Sequence, residues 1–193
     1  VLEGKLGSYG IGNRVQLAFV VRDMEEALNY WVEKLGVKRF VLFQTNAGAR
    51  RLVYNGHDTQ MDMALAFTYL GDTQIELVSP INDEPSPYKD FLDAGRSGLH
   101  HIAFWPSEFA SECQRLEREG FEEICAFYTP QGEKNVAYYK APAAVGTIVE
   151  LVPLTEDRKR YFAKIRELVE SDEIADTVLR YASRQEFLNV HGS

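Results

Sequence analysis

The sequence predicts an α+β fold: two βαβββ modules forming a curved mixed sheet, followed by C-terminal helices. Three observations carry this: an internal repeat, similar strand endings in both repeats, and a change of pattern after Pro153.

The first repeat opens with Val15-Gln16-Leu17-Ala18-Phe19-Val20-Val21, an apolar run rich in β-formers. Residues 24–35 follow with Met24, Ala27, Leu28, Trp31 and Leu35 at helical spacing. Asp23 is placed to cap that helix and Gly36 to end it. The second repeat opens with His100-His101-Ile102-Ala103-Phe104-Trp105. Ser107 is placed to cap a helix reaching Glu119, with Phe109, Cys113 and Leu116 on one face and Gly120 at its end. The interval from Gln16 to Gly36 matches that from His101 to Gly120 to within one residue.

Extended segments are predicted at 37–43, 47–54, 61–69 and 74–78, then at 123–128, 135–139 and 147–152. Both repeats end alike, Thr73-Gln74-Ile75-Glu76-Leu77-Val78 and Thr147-Ile148-Val149-Glu150-Leu151-Val152. The expected division is a first module over 14–80, a linker over 81–98, a second module over 99–153 and a helical extension over 154–193. The linker carries prolines and Asn82-Asp83-Glu84, with a short helix at 88–94. In the extension, Tyr161, Phe162, Ile165, Leu168 and Val169 form one apolar stripe, and Ile174, Val178, Leu179 and Ala182 another. Two amphipathic helices and no strand are expected there, packed on the body or on a partner chain.

Of 193 residues, 45% are hydrophobic and 26% charged, the balance of a folded globular chain. A net charge of -8 opposes binding to nucleic acid or to an anionic membrane surface. The densest basic run, Arg158-Lys159-Arg160, is bracketed by Glu156, Asp157 and Glu167. The N-terminal residues form no signal-peptide-like run, and no stretch approaches a membrane span. Cys113 and Cys125 form no CxxC pair. One disulfide stays open, with a reduced cytoplasmic protein the simpler reading.

A carboxylate in the middle of a buried strand needs a partner, because an unpaired buried charge is expensive. Glu76 sits between Ile75 and Leu77, and Glu150 between Val149 and Leu151, so each points away from its apolar neighbours. For either alone, solvent exposure is the simpler reading. Recurrence in both repeats, together with polar Gln16 and His101 in both opening strands, changes that. A pseudo-twofold axis relating the modules would bring Gln16, Glu76, His101 and Glu150 together inside the sheet. One histidine, one amide and two carboxylates make a ligand set for one divalent metal, Zn, Ni, Co, Mn or Fe, with open positions for substrate.

The repeat, with His-His-Ile-Ala-Phe and two Ile/Val-Glu-Leu-Val endings, resembles the vicinal-oxygen-chelate superfamily over residues 14–153. Gly71-Asp72-Thr73-Gln74-Ile75-Glu76-Leu77, Pro80-Ile81-Asn82-Asp83-Glu84 and Gly98-Leu99-His100-His101 are similar to methylmalonyl-CoA epimerase. That resemblance implies His101 as the ligand, with His100 on the other face. Gln16 stands where epimerases carry histidine and resembles the ligand set of animal glyoxalase I, whose glutathione-binding arginine corresponds to Val20 here. The epimerase strand glutamate falls on Ala64, with Asp62 two residues earlier on the same face.

The resemblance implies a metal-dependent isomerase, epimerase or lyase acting on a small carbonyl compound or thioester through a metal-stabilised enolate. Glu150 is the expected base, Glu76 or Asp62 the second acid/base, and a homodimer the expected assembly. One alternative is a bleomycin-resistance-like binder with a pocket lined by Tyr54, Tyr69, Phe67, Phe127, Tyr138 and Tyr139. Another, which Gln16 disfavours, is an extradiol-type dioxygenase. His57 reads as a loop residue beside Asn55-Gly56, His191 as part of a tail, and Arg96 and Lys89 as surface charges.

Overall fold

A computed structural model describes residue 11, residues 15–48 and residues 50–192. The expected boundary at residue 14 and the N-terminal reading lie outside these. Among the described residues, eleven strands form one mixed sheet in the order β11-β2-β5-β6-β1-β7-β10-β9-β8-β3-β4. The first repeat supplies β1 (Val15–Val20), α1 (Met24–Glu33), β2 (Phe40–Thr45), β3 (Arg51–Tyr54), β4 (His57–Thr59), β5 (Met63–Leu70) and β6 (Thr73–Pro80). After α2 (Pro87–Asp93), the second supplies β7 (Gly98–Phe104), α3 (Phe109–Arg118), β8 (Glu122–Tyr128), β9 (Lys134–Lys140) and β10 (Ile148–Leu151). The orders β2-β5-β6-β1 and β7-β10-β9-β8 mirror one another about an antiparallel β1/β7 pair. The sequence repeat is thus a repeat of topology.

Each module helix covers the same sheet face. Leu28 and Met24 of α1 pack on Ala64, Ala66, Ile75 and Leu77, while Cys113 and Leu116 of α3 pack on Ala137, Tyr139, Val149 and Leu151. Asp23 caps α1 by accepting from the Glu26 amide at 3.0 Å. Gly36 and Gly120 follow the two helices with φ of 70° and 85°, a region that costs a side chain dearly. In α3 the cap position falls on Glu108 rather than Ser107, without a side-chain cap bond.

The opposite face carries the larger cluster, in which Met63, Leu65 and Phe67 of β5, Val136 and Tyr138 of β9, and Phe127 of β8 meet α2 and the C-terminal segment. That segment corrects one expectation. It comprises α4 (Glu156–Glu170), β11 (Val178–Ser183) and α5 (Arg184–His191), so the second apolar stripe is mostly a strand, paired in parallel with β2. β2 offers a free edge to 178–183, and unpaired edge amides and carbonyls outweigh a weak helical pattern. His191 is part of α5 and meets the Tyr181 hydroxyl at 2.7 Å. His57 begins β4, behind an Asn55-Gly56 turn with both residues at positive φ. The β3–β4 hairpin pairs with β8, extending the second module's edge. Cys113 and Cys125 are buried free thiols.

Candidate metal centre

Period-2 alternation decides which side chains reach the inner face. On β6, Ile75 and Leu77 face α1, which sends Glu76 inward, and on β10 Val149 and Leu151 face α3, which sends Glu150 inward. Cross-strand pairing puts Glu76, Ala18, His101 and Ile148 in one row, and Gln74, Gln16, Ala103 and Glu150 in the next. The rows exchange under the pseudo-twofold: Gln16 answers His101, Glu76 answers Glu150, and Ala18 answers Ala103. The two alanines are fully buried between the four polar residues, and their small side chains leave the space there.

His101 Nε2 lies 3.2 Å from a Glu150 oxygen and 3.5 Å from a Glu76 oxygen. The three donor atoms fall within 4.8 Å of one another. All three residues are buried, and Nε2 has no hydrogen-bond partner. Metal–ligand bonds of about 2.0–2.2 Å put adjacent ligand atoms roughly 3.0–3.5 Å apart, so this spacing suits a shared ion.

The imidazole is prepared for that role from behind. His100 Nε2 faces the Pro87 carbonyl at 3.2 Å, and His100 Nδ1 lies 2.9 Å from His101 Nδ1. The carbonyl can only accept, so His100 carries its proton on Nε2 and accepts at Nδ1 from His101 Nδ1–H. That tautomer leaves the His101 Nε2 lone pair aimed at the two carboxylates. Burial and the neighbouring His101 charge hold His100 down at about 3, so it stays neutral. Burial would also lower His101, but without a metal the two carboxylates outweigh it and lift His101 to about 9. Burial pushes the Glu76 carboxyl up, with Glu150 adding to the rise and His101 opposing it. The cluster therefore draws positive charge to its centre, a proton or a metal ion.

Gln16 is buried and lines the same cavity. Its Nε2 donates to Gln74 Oε1 at 2.7 Å, and Gln74 Nε2 donates to the Tyr69 hydroxyl. That bond uses the amide nitrogen, and an amide ligates through its carbonyl oxygen. The residues present fit a divalent ion held by Glu76, His101 and Glu150, with Gln16 the candidate fourth ligand.

The cavity measures about 80 Å³, with Tyr88, Tyr138, Phe67 and Phe127 among its walls. Trp105, Tyr161 and Phe162 also line it. Three sequence expectations are corrected here. His100 does not point to the other face, because a β-bulge pairs Ala18 with His101 and Phe19 with Leu99, skipping His100 and turning it toward Phe91 and Tyr88. Asp62 does not reach the cavity. It accepts the backbone amides of Asn46, Ala47 and Met63 at 2.8–2.9 Å, anchoring the turn after β2. Ala64 faces α1, since Met63, Leu65 and Phe67 are the inward positions of β5. Of the aromatic residues expected in a pocket, Phe67, Phe127 and Tyr138 line it, whereas Tyr139 packs against α3 and Tyr54 lines a separate cleft with His100.

Sequence reasoning missed the three cationic residues of the cavity: Arg50, between β2 and β3, Arg158 of α4, and Arg184, which opens α5. Arg158 had a readable signal, since it stands one turn before Tyr161 and Phe162 on the same stripe. Burial, then the Arg184 charge, lowers the Arg158 guanidinium to about 10, and the same two causes lower Arg50.

A profile of the glyoxalase/bleomycin resistance protein/dioxygenase superfamily matches residues 15–139. The uncharacterized protein YqjC of Bacillus subtilis is 33% identical over 89 residues, which cover 45% of this chain and 62% of that protein. The match thus spans less than two thirds of that relative. Among solved structures, methylmalonyl-CoA epimerase from Mycobacterium tuberculosis aligns with a TM-score of 0.55 at 18% identity, covering 81% of this chain and 97% of that one. A hypothetical protein from Bacillus halodurans aligns at 0.53 and 22% identity, covering 73% and 93%. These likenesses are to the fold. With the duplicated βαβββ topology and a profile match from β1 into β9, the chain belongs to the glyoxalase/bleomycin resistance protein/dioxygenase superfamily.

Proposed function

We propose that the protein is a metal-dependent enzyme of the glyoxalase/epimerase type, moving a proton on a small carbonyl compound. The observation that carries this reading is the buried His101 Nε2, held 3.2 and 3.5 Å from the oxygens of two buried carboxylates. Glu76, His101, Glu150 and Gln16 would hold one divalent ion, drawn from Zn, Ni, Co, Mn and Fe. Bound there, the ion would supply Lewis-acid stabilisation to negative charge developing on a substrate oxygen.

Proton movement falls to the chain's own carboxylates. No carboxylate besides Glu76 and Glu150 lines the cavity among the described residues. They come from opposite modules, so one can take a proton from one side of a bound molecule while the other returns it. Glu150 is the base in this reading. Glu76, from the other module, is the second acid/base. The Tyr88 and Tyr138 hydroxyls are hydrogen-bonded to each other at 2.8 Å, which leaves one of the two O–H groups to donate to a substrate oxygen.

The test begins with elemental analysis of purified protein beside His101→Ala and Glu150→Ala variants. Near one equivalent of a first-row divalent metal in the parent, and a trace in both variants, is the expected result. Glu150→Gln should then remove deuterium exchange at the α-carbon of carbonyl substrates in heavy water while leaving the fold intact. A parent that stays metal-free after reconstitution would instead favour a ligand-binding protein. The apolar inward positions Met63, Leu65 and Phe67 suit that second reading, since β5 brings no base to the cavity.

A further inference from the structure

Three cationic side chains enter the cavity from three separate segments. Arg50 arrives on the turn after β2, Arg158 in the first turn of α4, and Arg184 at the start of α5. No carboxylate forms an ion pair with any of them among the described residues. Each is instead held in place by other means. Arg50 Nε donates to the Ala47 carbonyl at 3.0 Å, another of its nitrogens donates to Asn46, and its guanidinium lies over Phe127. Arg158 donates to the Pro153 and Asn135 carbonyls at 3.2 and 2.8 Å. Arg184 lies over the Tyr161 ring, 4.5 Å from its centre, and its buried Nε has no hydrogen-bond partner.

Charge balance gives this arrangement its meaning. The carboxylates in the cavity are Glu76 and Glu150, and both lie against His101 rather than in an ion pair with an arginine. Three guanidinium charges then face a space walled in part by Leu65, Phe67 and Phe127. Like charges gathered in a low-dielectric cavity call for a counter-anion. The guanidinium fork matches the oxygens of a carboxylate or phosphate, and side chains pinned by backbone carbonyls are preorganised to receive one. Arg158 and Arg184 lie in the C-terminal segment, beyond residue 139, where the superfamily match ends.

We propose that Arg50, Arg158 and Arg184 form an anion subsite, and that the substrate is a short carbonyl or hydroxy compound bearing a carboxylate or phosphate at the end remote from the metal. The substrate assignment rests on the metal-enzyme reading above, whereas the anion subsite does not. The cavity, at about 80 Å³, is well below the roughly 300–1,000 Å³ that takes drug-sized ligands, which limits the occupant to a compact molecule.

The experiment is calorimetric titration of the whole protein, metal-loaded and metal-free, with malonate, inorganic phosphate and neutral malonamide. Malonate or phosphate should bind in both forms and malonamide in neither. Tighter malonate binding marks a carboxylate substrate and tighter phosphate binding a phosphoryl one. Arg184→Gln should weaken the preferred anion at least tenfold with metal content unchanged, and Arg184→Lys should recover part of the loss. Malonamide binding as well as the anions, or undiminished anion binding by Arg184→Gln, would overturn the subsite. The malonate–malonamide comparison needs no variant, so a poorly folding Arg184→Gln leaves the test intact. A protein that takes up no metal yet binds anions through Arg184 would retire the metal reading alone.

Discussion

At the scale of single residues, the two adjacent histidines divide one task. His101 presents Nε2 to the carboxylates because His100 Nδ1 accepts the hydrogen bond from His101 Nδ1–H, and His100 can do so because the Pro87 carbonyl fixes its own tautomer. A leucine in place of His100 would fill similar space but accept no hydrogen bond, leaving His101 Nδ1–H buried and unpaired. The imidazole would then lose both its orientation and its preferred tautomer. His100→Leu should therefore weaken metal binding by about 10–100-fold, the range seen when partners of ligating histidines are removed. Competition against a chelator of known affinity reads this directly, and an unchanged affinity would show that packing alone orients His101. His101 as a candidate ligand was legible from its place in the repeat. The role of His100 was not, because a dipeptide on a regular strand sends its two side chains to opposite faces, and only the bulge opposite Ala18 and Phe19 turns both rings together.

At the scale of elements, what was legible had local causes. Helices α1 and α3 follow from apolar spacing with a stop glycine, and β6 and β10 from a carboxylate set among branched residues. What was not legible depends on distant partners. Val178, Leu179 and Ala182 fit a helical stripe as well as a strand, and the free edge of β2 decides between them. Asp62 looked like an inward acid because the facing of β5 was counted from a single alignment of motifs. The bulk of Met63, Leu65 and Phe67 takes the inner face instead. The segment joining α4 to β11 has a local keystone in Arg39, which is 2% exposed and donates to the carbonyls of Asp176, Leu168, Ser171 and Ile174. These include a carbonyl from the last turn of α4, which has no partner within the helix. Hydrogen bonds to charged groups contribute about 1.5–3 kcal/mol each, and a chain of this size loses roughly 2–4 °C per kcal/mol. Arg39→Met should lower the melting temperature by roughly 3–12 °C even if only one such bond is lost outright. Limited proteolysis should cut first within residues 171–177. A parent-like melt and cleavage pattern would mean that β11 pairing alone secures the extension.

At the scale of the whole molecule, the candidate centre lies across the boundary between modules rather than inside either. Glu76 and Gln16 come from the first repeat, His101 and Glu150 from the second, and the β1/β7 pair joins them. The C-terminal segment ties the same two halves again: β11 pairs with β2 of the first, while Arg158 of α4 donates to Asn135, in β9 of the second. An ion bound across that boundary binds neither half once separated, so its binding free energy adds to the cohesion of both. At a free metal concentration one hundred times its dissociation constant the gain is about 2.7 kcal/mol, or roughly 5–11 °C in melting temperature for a chain of this length. Differential scanning calorimetry of metal-free and metal-loaded protein should show one transition in each, the loaded one displaced upward by that amount. Glu76→Ala should cancel the displacement as fully as Glu150→Ala does, since each removes one module's carboxylate. Two transitions, of which metal moves only one, would place the ion within a single module and break the link between the duplicated fold and its site.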